Sequence, residues 1–445
     1  MIPLSTLQQH RRKIADLMLS NSVLILFSAD LIARNADVEY PFRQDSSFWY
    51  STGFDEPSSI FVLRKHGDNQ VDELLYVQPR EIEKEIWTGY RAGVSGAKAM
   101  TGITNVKEIA NFDPDLPAIL SGMQTSYFDS NEHSYAPMRA VVTKLLNECS
   151  RRSPSENLTA IMKTNSLFRL ARMYKDDWEI DQMQQSNTIA IEAHTKAVQM
   201  MRKRIQQGDL VYEYQVAADI YREFQYQGLN WSYPAIVAGG NNACTLHYMQ
   251  NNAQLRASDL LLIDAGCELN YYASDITRCY PISGTFSPAQ KAIYELVLQA
   301  QLASIAEVAR PGSTYASFHT VATEVLTKGL LAMGLLQGSL EENIANRNYF
   351  KYFMHGIGHH IGLDVHDSGI YVAEPGTRAP LPLTAGMAVT VEPGLYLSTT
   401  DETIPPEYRG IGIRIEDDII KTENGVLNLT ADLAKTVTDI EKLCA

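Results

Sequence analysis

The chain has 445 residues, of which 45% are hydrophobic and 20% charged, with a formal net charge of −14. This length accommodates about two or three domains, and the composition is typical of a globular protein that buries a sizeable core. An acidic surface repels phosphate backbones and anionic lipid, so we expect neither a nucleic-acid nor a membrane partner. Five widely spaced cysteines without a CxxC pair favour free thiols and a cytoplasmic location.

The first part of the chain, residues 1–172, alternates short strand-like and helical segments. Basic residues precede an apolar run in HRRKIADLMLSNSVLILFSA, but polar residues interrupt that run. We therefore expect a helix ending near Asn21 and then a buried strand, VLILF, rather than a secretory leader. SSIFVLRK and ELLYVQP are predicted strands, and 136–150 a predicted helix. The pattern predicts an α/β domain, and no run of about 18 apolar residues indicates a membrane span.

The second part, residues 173–445, begins with a long helix predicted from Lys175 to Gln207. Further helices are expected from Ser287 to about Gly312, where serine and then proline begin the helix, and over 313–334. Between and after them lie the strand-like segments LLLID, CYPIS, AVTVEPGLY and IGIRIEDDII. This alternation predicts an α+β domain. Two similar successions of strand and carboxylate are consistent with a domain built from two related halves.

Four carboxylates end or interrupt apolar strand-like runs of this second domain. An isolated buried charge is costly, so these groups require a cation, and Arg278 and Arg414 are too few to neutralise all four. Two divalent ions sharing carboxylates would use such a set well. The four are Asp264, Asp275, Glu392 and Glu416.

The segment HGIGHHIGLDVHD, residues 355–367, contains four of the ten histidines of the chain. Its glycines disfavour a regular helix and allow close backbone approach, which predicts a bent strand that directs several imidazoles into one cavity. The residues alone leave open which of His355, His359 and His366 binds metal. One imidazole among several carboxylates suits Mn²⁺, Co²⁺ or catalytic Zn²⁺ better than structural zinc.

Several of these segments together resemble a known family. FMHGIGHHIGLDVHD, LLLIDAG with SDITR, VEPGLY and GIGIRIEDD are similar to signature segments of the pita-bread metallopeptidases, in particular the Xaa-Pro aminopeptidases. FRQDSSFWYSTGFDEP and SYPAIVAGGNNACTLHY extend the resemblance over nearly the whole chain. It implies a C-terminal pita-bread domain, with a pseudo-twofold antiparallel sheet flanked by helices. It also implies release of the N-terminal residue from peptides with proline second, by an enzyme with two divalent ions, Mn²⁺ being favoured over Co²⁺ or Zn²⁺.

The resemblance also implies roles for individual residues. The implied metal ligands are Asp264, Asp275, His359, Glu392 and Glu416, with Asp275 and Glu416 bridging the ions. The implied catalytic groups are His247, His355, His366, Glu392 and Arg414. The implied substrate contacts are His247, His355, His366, Tyr396 and Trp87. His360 departs from the family, in which an aromatic or other bulky residue is common there.

Two alternatives to the Xaa-Pro aminopeptidase remain open. A prolidase, which cleaves Xaa-Pro dipeptides, would use the same fold and ligands. A pita-bread protein that has become a binding module would normally have lost ligand carboxylates, whereas all are present in this sequence. The expected partners are peptides with proline second and further copies of the chain, as a dimer or tetramer.

Overall fold

The computed structural model describes residues 2–68, 70–128, 143, 158–373 and 376–445. The helix predicted over 136–150 lies outside these residues, except for position 143. The chain divides into two compact units, Met1–Ala171 and Arg172–Ala445.

The N-terminal unit is built on one mixed sheet with the strand order β6-β5-β4-β1-β7-β8. Its central strand β1 pairs antiparallel with β4 and parallel with β7. The helices are Leu4–Leu17 (α1), Ser46–Thr52 (α2), Ile82–Thr88 (α3), Gly93–Thr101 (α4), Phe112–Leu120 (α5) and Asn165–Ala171 (α6). The strands are Ser22–Phe27 (β1), Ala33–Asn35 (β2), Val38–Glu39 (β3), Ile60–His66 (β4), Gln70–Val77 (β5), Val106–Glu108 (β6), Thr125–Tyr127 (β7) and Ala160–Met162 (β8).

Apolar side chains of the central strands form the core of this unit. Every residue of β1 is buried, and Val23, Ile25 and Phe27 pack with Val62 of β4 and Phe112 of α5. The predicted strands at VLILF, SSIFVLRK and ELLYVQP are confirmed as β1, β4 and β5.

The C-terminal unit combines small antiparallel sheets with long helices. Its sheets have the orders β10-β11-β14, β13-β12-β9, β15-β18-β19 and β16-β17, and all their pairings are antiparallel. The helices are Asp177–Gln206 (α7), Glu213–Tyr226 (α8), Pro288–Ala309 (α9), Tyr315–Ala332 (α10), Leu340–Ala345 (α11) and Val437–Cys444 (α12). The strands are Asn230–Trp231 (β9), Ile236–Gly239 (β10), Leu260–Asp264 (β11), Cys267–Leu269 (β12), Tyr272–Ala273 (β13), Thr277–Pro281 (β14), Ala388–Val391 (β15), Gly394–Leu397 (β16), Ile411–Arg414 (β17), Asp417–Thr422 (β18) and Gly425–Asn428 (β19).

The three predicted long helices are confirmed as α7, α9 and α10, and their ends are stabilised by side chains. Asp176 and Glu179 form a capping box at the start of α7, and Ser287 and Gln290 form one at the start of α9. At the other end of α9, the Lys421 ammonium donates to the carbonyl oxygens of residues 308, 309 and 310, at 2.8, 2.8 and 3.0 Å. Such contacts satisfy carbonyls that a helix end leaves without partners.

Helix α9 is one exception to the expected absence of a long apolar segment. By length and composition alone it could cross a membrane, but half of its most apolar 18-residue window is buried inside the protein. It packs against α10 and carries buried residues such as Ile293 and Val297. This burial is that of a core helix.

The bent strand predicted for the histidine-rich segment is present only over its first half. Residues 357–361 run antiparallel to 388–392, with the amides of Glu392, Thr390 and Ile361 donating to the carbonyls of Ile357, His359 and Ala388 and a β-bridge between His360 and Val389, whereas residues 362–367 are irregular. At Gly358 the backbone lies so close to Thr390 that a side chain would not fit. A Cβ there would lie 2.0 Å from the Thr390 carbonyl oxygen. Glycine thus permits the close approach of the two segments.

Candidate metal centre

The four carboxylates lie where strands of the C-terminal unit end or are interrupted. Asp264 is the last residue of β11, whereas Asp275 lies between β13 and β14. Glu392 separates β15 from β16, and Glu416 separates β17 from β18. Three of the four therefore occupy short breaks rather than strand interiors.

The structure brings these carboxylates and one histidine together. Ligand atoms of Asp275, His359 and Glu416 all lie within 4.8 Å of one another. His359 Nε2 is 3.4 Å from Asp275 Oδ2 and 3.8 Å from Glu392 Oε1. The Tyr233 hydroxyl connects the remaining carboxylate, since it lies 2.6 Å from Asp264 Oδ1 and 2.5 Å from Asp275 Oδ1.

Burial and mutual repulsion disfavour the charged form of most of these carboxylates. Burial raises the pKa of Glu392 to about 7, against the opposing charge of His359. Burial and the charge of Asp275 raise the pKa of Glu416 well above its usual range. Burial also raises the pKa of Asp264, although the charge of Arg414 opposes it.

Asp275 and His359 stabilise each other's charged forms. Burial alone would raise the pKa of Asp275, but the hydrogen bond and charge of His359 lower it. Burial likewise opposes the charge of His359, yet Asp275 raises the pKa of this imidazole to about 9. The cluster is thus short of positive charge, and its oxygen-rich donors with one imidazole fit divalent cations such as Mn²⁺, Co²⁺ or Zn²⁺.

Arg414 connects the carboxylates to Tyr396 and, through it, to His355. Its Nη2 donates to Asp264 Oδ2 at 2.5 Å, and its Nη1 donates to the Tyr396 hydroxyl at 3.1 Å. That hydroxyl lies 2.8 Å from His355 Nε2. The Thr277 hydroxyl donates to Glu416 at 2.6 Å. Hydrogen bonds of this kind hold ligand side chains in a single orientation.

A cavity of about 780 Å³ opens directly onto this cluster. His355 is half-buried in its wall, whereas His247 and His366 are exposed. The ring centroids of His366 and His359 lie 4.3 Å apart in an edge-to-face arrangement. All five carboxylate and imidazole candidates also line the cavity, together with Tyr233, Pro234, Ile236, Leu246, Met249, Tyr315, Gly356, Gly358, Val365 and Arg414.

Two other residues singled out in the sequence lie apart from the cluster. The His360 ring is buried against Tyr371, 3.4 Å from the Ile370 carbonyl oxygen, and burial lowers its pKa to about 4. His360 is therefore a core residue rather than a spare ligand. Trp87 lies on α3 of the N-terminal unit and is 87% exposed; its contact with substrate stays a prediction.

Three further residues at the site, Tyr233, Thr277 and Tyr315, were not predicted from the sequence. Tyr233 and Thr277 hydrogen-bond the clustered carboxylates, and Tyr315 lines the cavity. Thr277 lies two residues after Asp275 in SDITR, and that position was the available signal; Tyr233 lies far from the carboxylates in sequence and offered none. Tyr315 belongs to the first turn of α10 and offered none.

Two family models match the chain. Residues 181–423 match the model described as metallopeptidase family M24, and residues 7–127 match the N-terminal domain of aminopeptidase P. The chain belongs to the M24 metallopeptidase family. The resemblance noted in the sequence is confirmed, as are the two-part fold and the assignment as a metal-dependent hydrolase.

Individual relatives match this M24 metallopeptidase over most of its length. The Xaa-Pro aminopeptidase of Escherichia coli K12 is 37% identical over 440 residues, which cover 98% of this chain and 96% of that protein. Human Xaa-Pro aminopeptidase 3 is 31% identical, covering 96% of this chain and 81% of that protein. A structure of zinc-substituted E. coli aminopeptidase P with product has 36% identity and a TM-score of 0.91, covering 100% of this chain and 98% of that one.

Proposed function

We propose that this M24 metallopeptidase is an Xaa-Pro aminopeptidase, which removes the first residue from peptides with proline in second place. The observation that carries the proposal is the convergence of four carboxylates and His359 at one cavity. Near-full-length similarity to proteins named Xaa-Pro aminopeptidase supports the substrate class.

We assign two divalent ions to the cluster, held by Asp264, Asp275, His359, Glu392 and Glu416, with Mn²⁺ as the favoured metal. By the family resemblance, Asp275 and Glu416 would be the ligands shared by the two ions; their ligand atoms and that of His359 lie within 4.8 Å of one another. When bound, such a pair of ions polarises the scissile carbonyl and lowers the pKa of the attacking water.

Glu392 is assigned the proton transfer of the reaction. The proline nitrogen leaves as an amine and must gain a proton, which a carboxylate within reach of both water and leaving group provides. Glu392 Oε2 lies 3.8 Å from His355 Nδ1, and Glu392 Oε1 lies 3.8 Å from His359 Nε2. Glu392 is thus placed between the proposed metal ligands and the substrate side of the cavity.

The remaining histidines are assigned to the substrate. His247 and His366 are exposed in the cavity and are suited to donate hydrogen bonds to the carbonyl oxygen as negative charge develops there. His355, held by Tyr396, borders the proposed site of the proline ring. Apolar residues select such a ring by shape, and the cavity provides Leu246, Met249 and Val365.

The acidic cluster also favours the free N-terminal amine of the peptide, since opposite charges attract strongly where water is excluded. We further propose a cytoplasmic location, and a dimer or tetramer as the functional form. These rest on the thiol content and on the family resemblance respectively.

The test is peptide hydrolysis by the purified, metal-loaded chain. We expect tripeptides and longer peptides with proline second to be cleaved after their first residue, with loss of activity on chelation. Matched peptides with alanine second serve as controls. Cleavage restricted to Xaa-Pro dipeptides would favour a prolidase, and a chain that binds no metal would favour the non-catalytic alternative.

A further inference from the structure

The segment from Gly239 to Ala253 carries His247 to the cavity. His247 is exposed on a turn, and among the residues described by the structure its ring makes no hydrogen bond. Its neighbours Leu246 and Met249 line the same cavity. The direction of the His247 ring therefore depends on how firmly the backbone of this segment is held.

Glu213 holds the segment at four points. It is the first residue of α8, and it is completely buried. Its Oε1 accepts from the Gly239 amide at 2.8 Å and from Asn242 Nδ2 at 2.9 Å. Its Oε2 accepts from the Tyr248 hydroxyl at 2.9 Å and from the Ala253 amide at 2.8 Å. One carboxylate thus joins both ends of the segment to its middle.

These contacts explain how a carboxylate is tolerated in the core. No basic side chain in the described part of the chain lies within ion-pair distance of Glu213. Four donors and the positive end of α8 take the place of a cation, and hydrogen bonds to a charged acceptor are roughly twice as strong as neutral ones. Well-packed apolar residues are often at least as stable as buried charges, so stability alone does not account for this arrangement.

We propose that Glu213 is a positioning residue for the peptidase reaction, which acts by fixing the segment 239–253 and thereby the direction of His247. The contact that transmits the effect is the buried Tyr248, which is adjacent to His247 and held by Glu213 Oε2. The catalytic part of this inference rests on the proposed function, whereas the fixing of the segment does not.

The test substitution is Glu213→Gln, which keeps the side-chain shape but places an NH₂ group against two donors. Because a hydrogen bond to a charged group is lost, we expect amide exchange within 239–253 to accelerate about tenfold or more. We expect kcat/KM on a tripeptide with proline second to fall by about the same factor at unchanged metal content.

A double-mutant cycle distinguishes positioning from general weakening. In the His247→Ala background, Glu213→Gln should lower kcat/KM little further, because the group that it positions is gone. If Glu213→Gln lowered kcat/KM by the same factor in both backgrounds, the proposal would be overturned. Unchanged amide exchange within 239–253 would overturn it as well. If Glu213→Gln does not fold, Tyr248→Phe removes a single donor and should produce a smaller change in the same two measurements.

Asp219 offers a matched control on the same helix. Its carboxylate accepts from Arg204 of α7 at 2.6 and 3.1 Å and touches no part of the segment. Asp219→Asn should leave exchange in 239–253 and kcat/KM unchanged; parallel changes there would attribute the effect to α8 as a whole and refute a specific role of Glu213. If the unaltered chain cleaves no Xaa-Pro peptide, the proposed function fails, while amide exchange still decides whether Glu213 fixes the segment.

Discussion

Glu392 makes the stability of the metal-free protein depend on pH in an unusual direction. Burial raises its folded-state pKa to about 7, whereas its ordinary value is 4.5. The folded state therefore holds the proton more tightly than the unfolded state does. The resulting destabilisation is absent below pH 4.5, grows as pH rises, and is complete above pH 7.

The magnitude follows from the size of the shift. About 2.5 pKa units correspond to about 3 kcal/mol of unfolding free energy. This is an upper bound, because 17% of the Glu392 side chain remains exposed to screening solvent. A bound cation removes the destabilisation, so divalent metal should stabilise the protein more at pH 8 than at pH 5.

The assay is urea unfolding of chelator-treated protein at pH 5 and pH 8, for the unaltered chain and for Glu392→Gln. Between pH 5 and pH 8, the free energy of unfolding of the unaltered chain should fall by up to about 3 kcal/mol more than that of the variant, since the amide does not titrate. The comparison reports Glu392 together with its repulsion of the neighbouring carboxylates, such as Glu416. Equal losses in the two proteins, or a metal effect independent of pH, would refute the reasoning.

The remaining predictions concern single side chains. His359→Ala should lose both metal content, measured by elemental analysis, and peptidase activity; full activity with stoichiometric metal would exclude His359 as a ligand. His366→Ala should lower turnover while metal stays bound, and loss of metal there would mean that the two histidines have the opposite roles. Lys421→Met leaves three carbonyls at the end of α9 without their donor and should lower the urea-derived unfolding free energy by about 2–3 kcal/mol, and no change would show that water replaces the ammonium.

Features that depend on local chemistry could be predicted from the sequence. Capping residues and helical periodicity placed α7, α9 and α10 to within a few residues of their ends. The four carboxylates stood out because a charge within an apolar run requires compensation wherever the chain folds. That requirement holds without knowledge of topology, and the structure gathers all four at one cavity.

Features that depend on distant partners could not be predicted. The path of 355–367 depends on the pairing of 357–361 with 388–392, which are far away in sequence. In the sequence, Glu213 cannot be distinguished from other acidic residues at helix starts. Only the folded chain places four donors around it. Tyr233 becomes informative only once Asp264 and Asp275 lie on either side of its hydroxyl.

Charge balance explains why the prediction of a cation does not depend on the local path of the chain. Arg414, the guanidinium nearest the cluster, is already bound to Asp264, Tyr396 and Thr277. Arg278 is held elsewhere, with its Nη2 2.6 Å from Asp417. With both arginines so engaged, Glu392 and Glu416 either take up protons or bind a cation. The same repulsion that weakens the metal-free protein therefore increases its affinity for divalent ions, because binding relieves it.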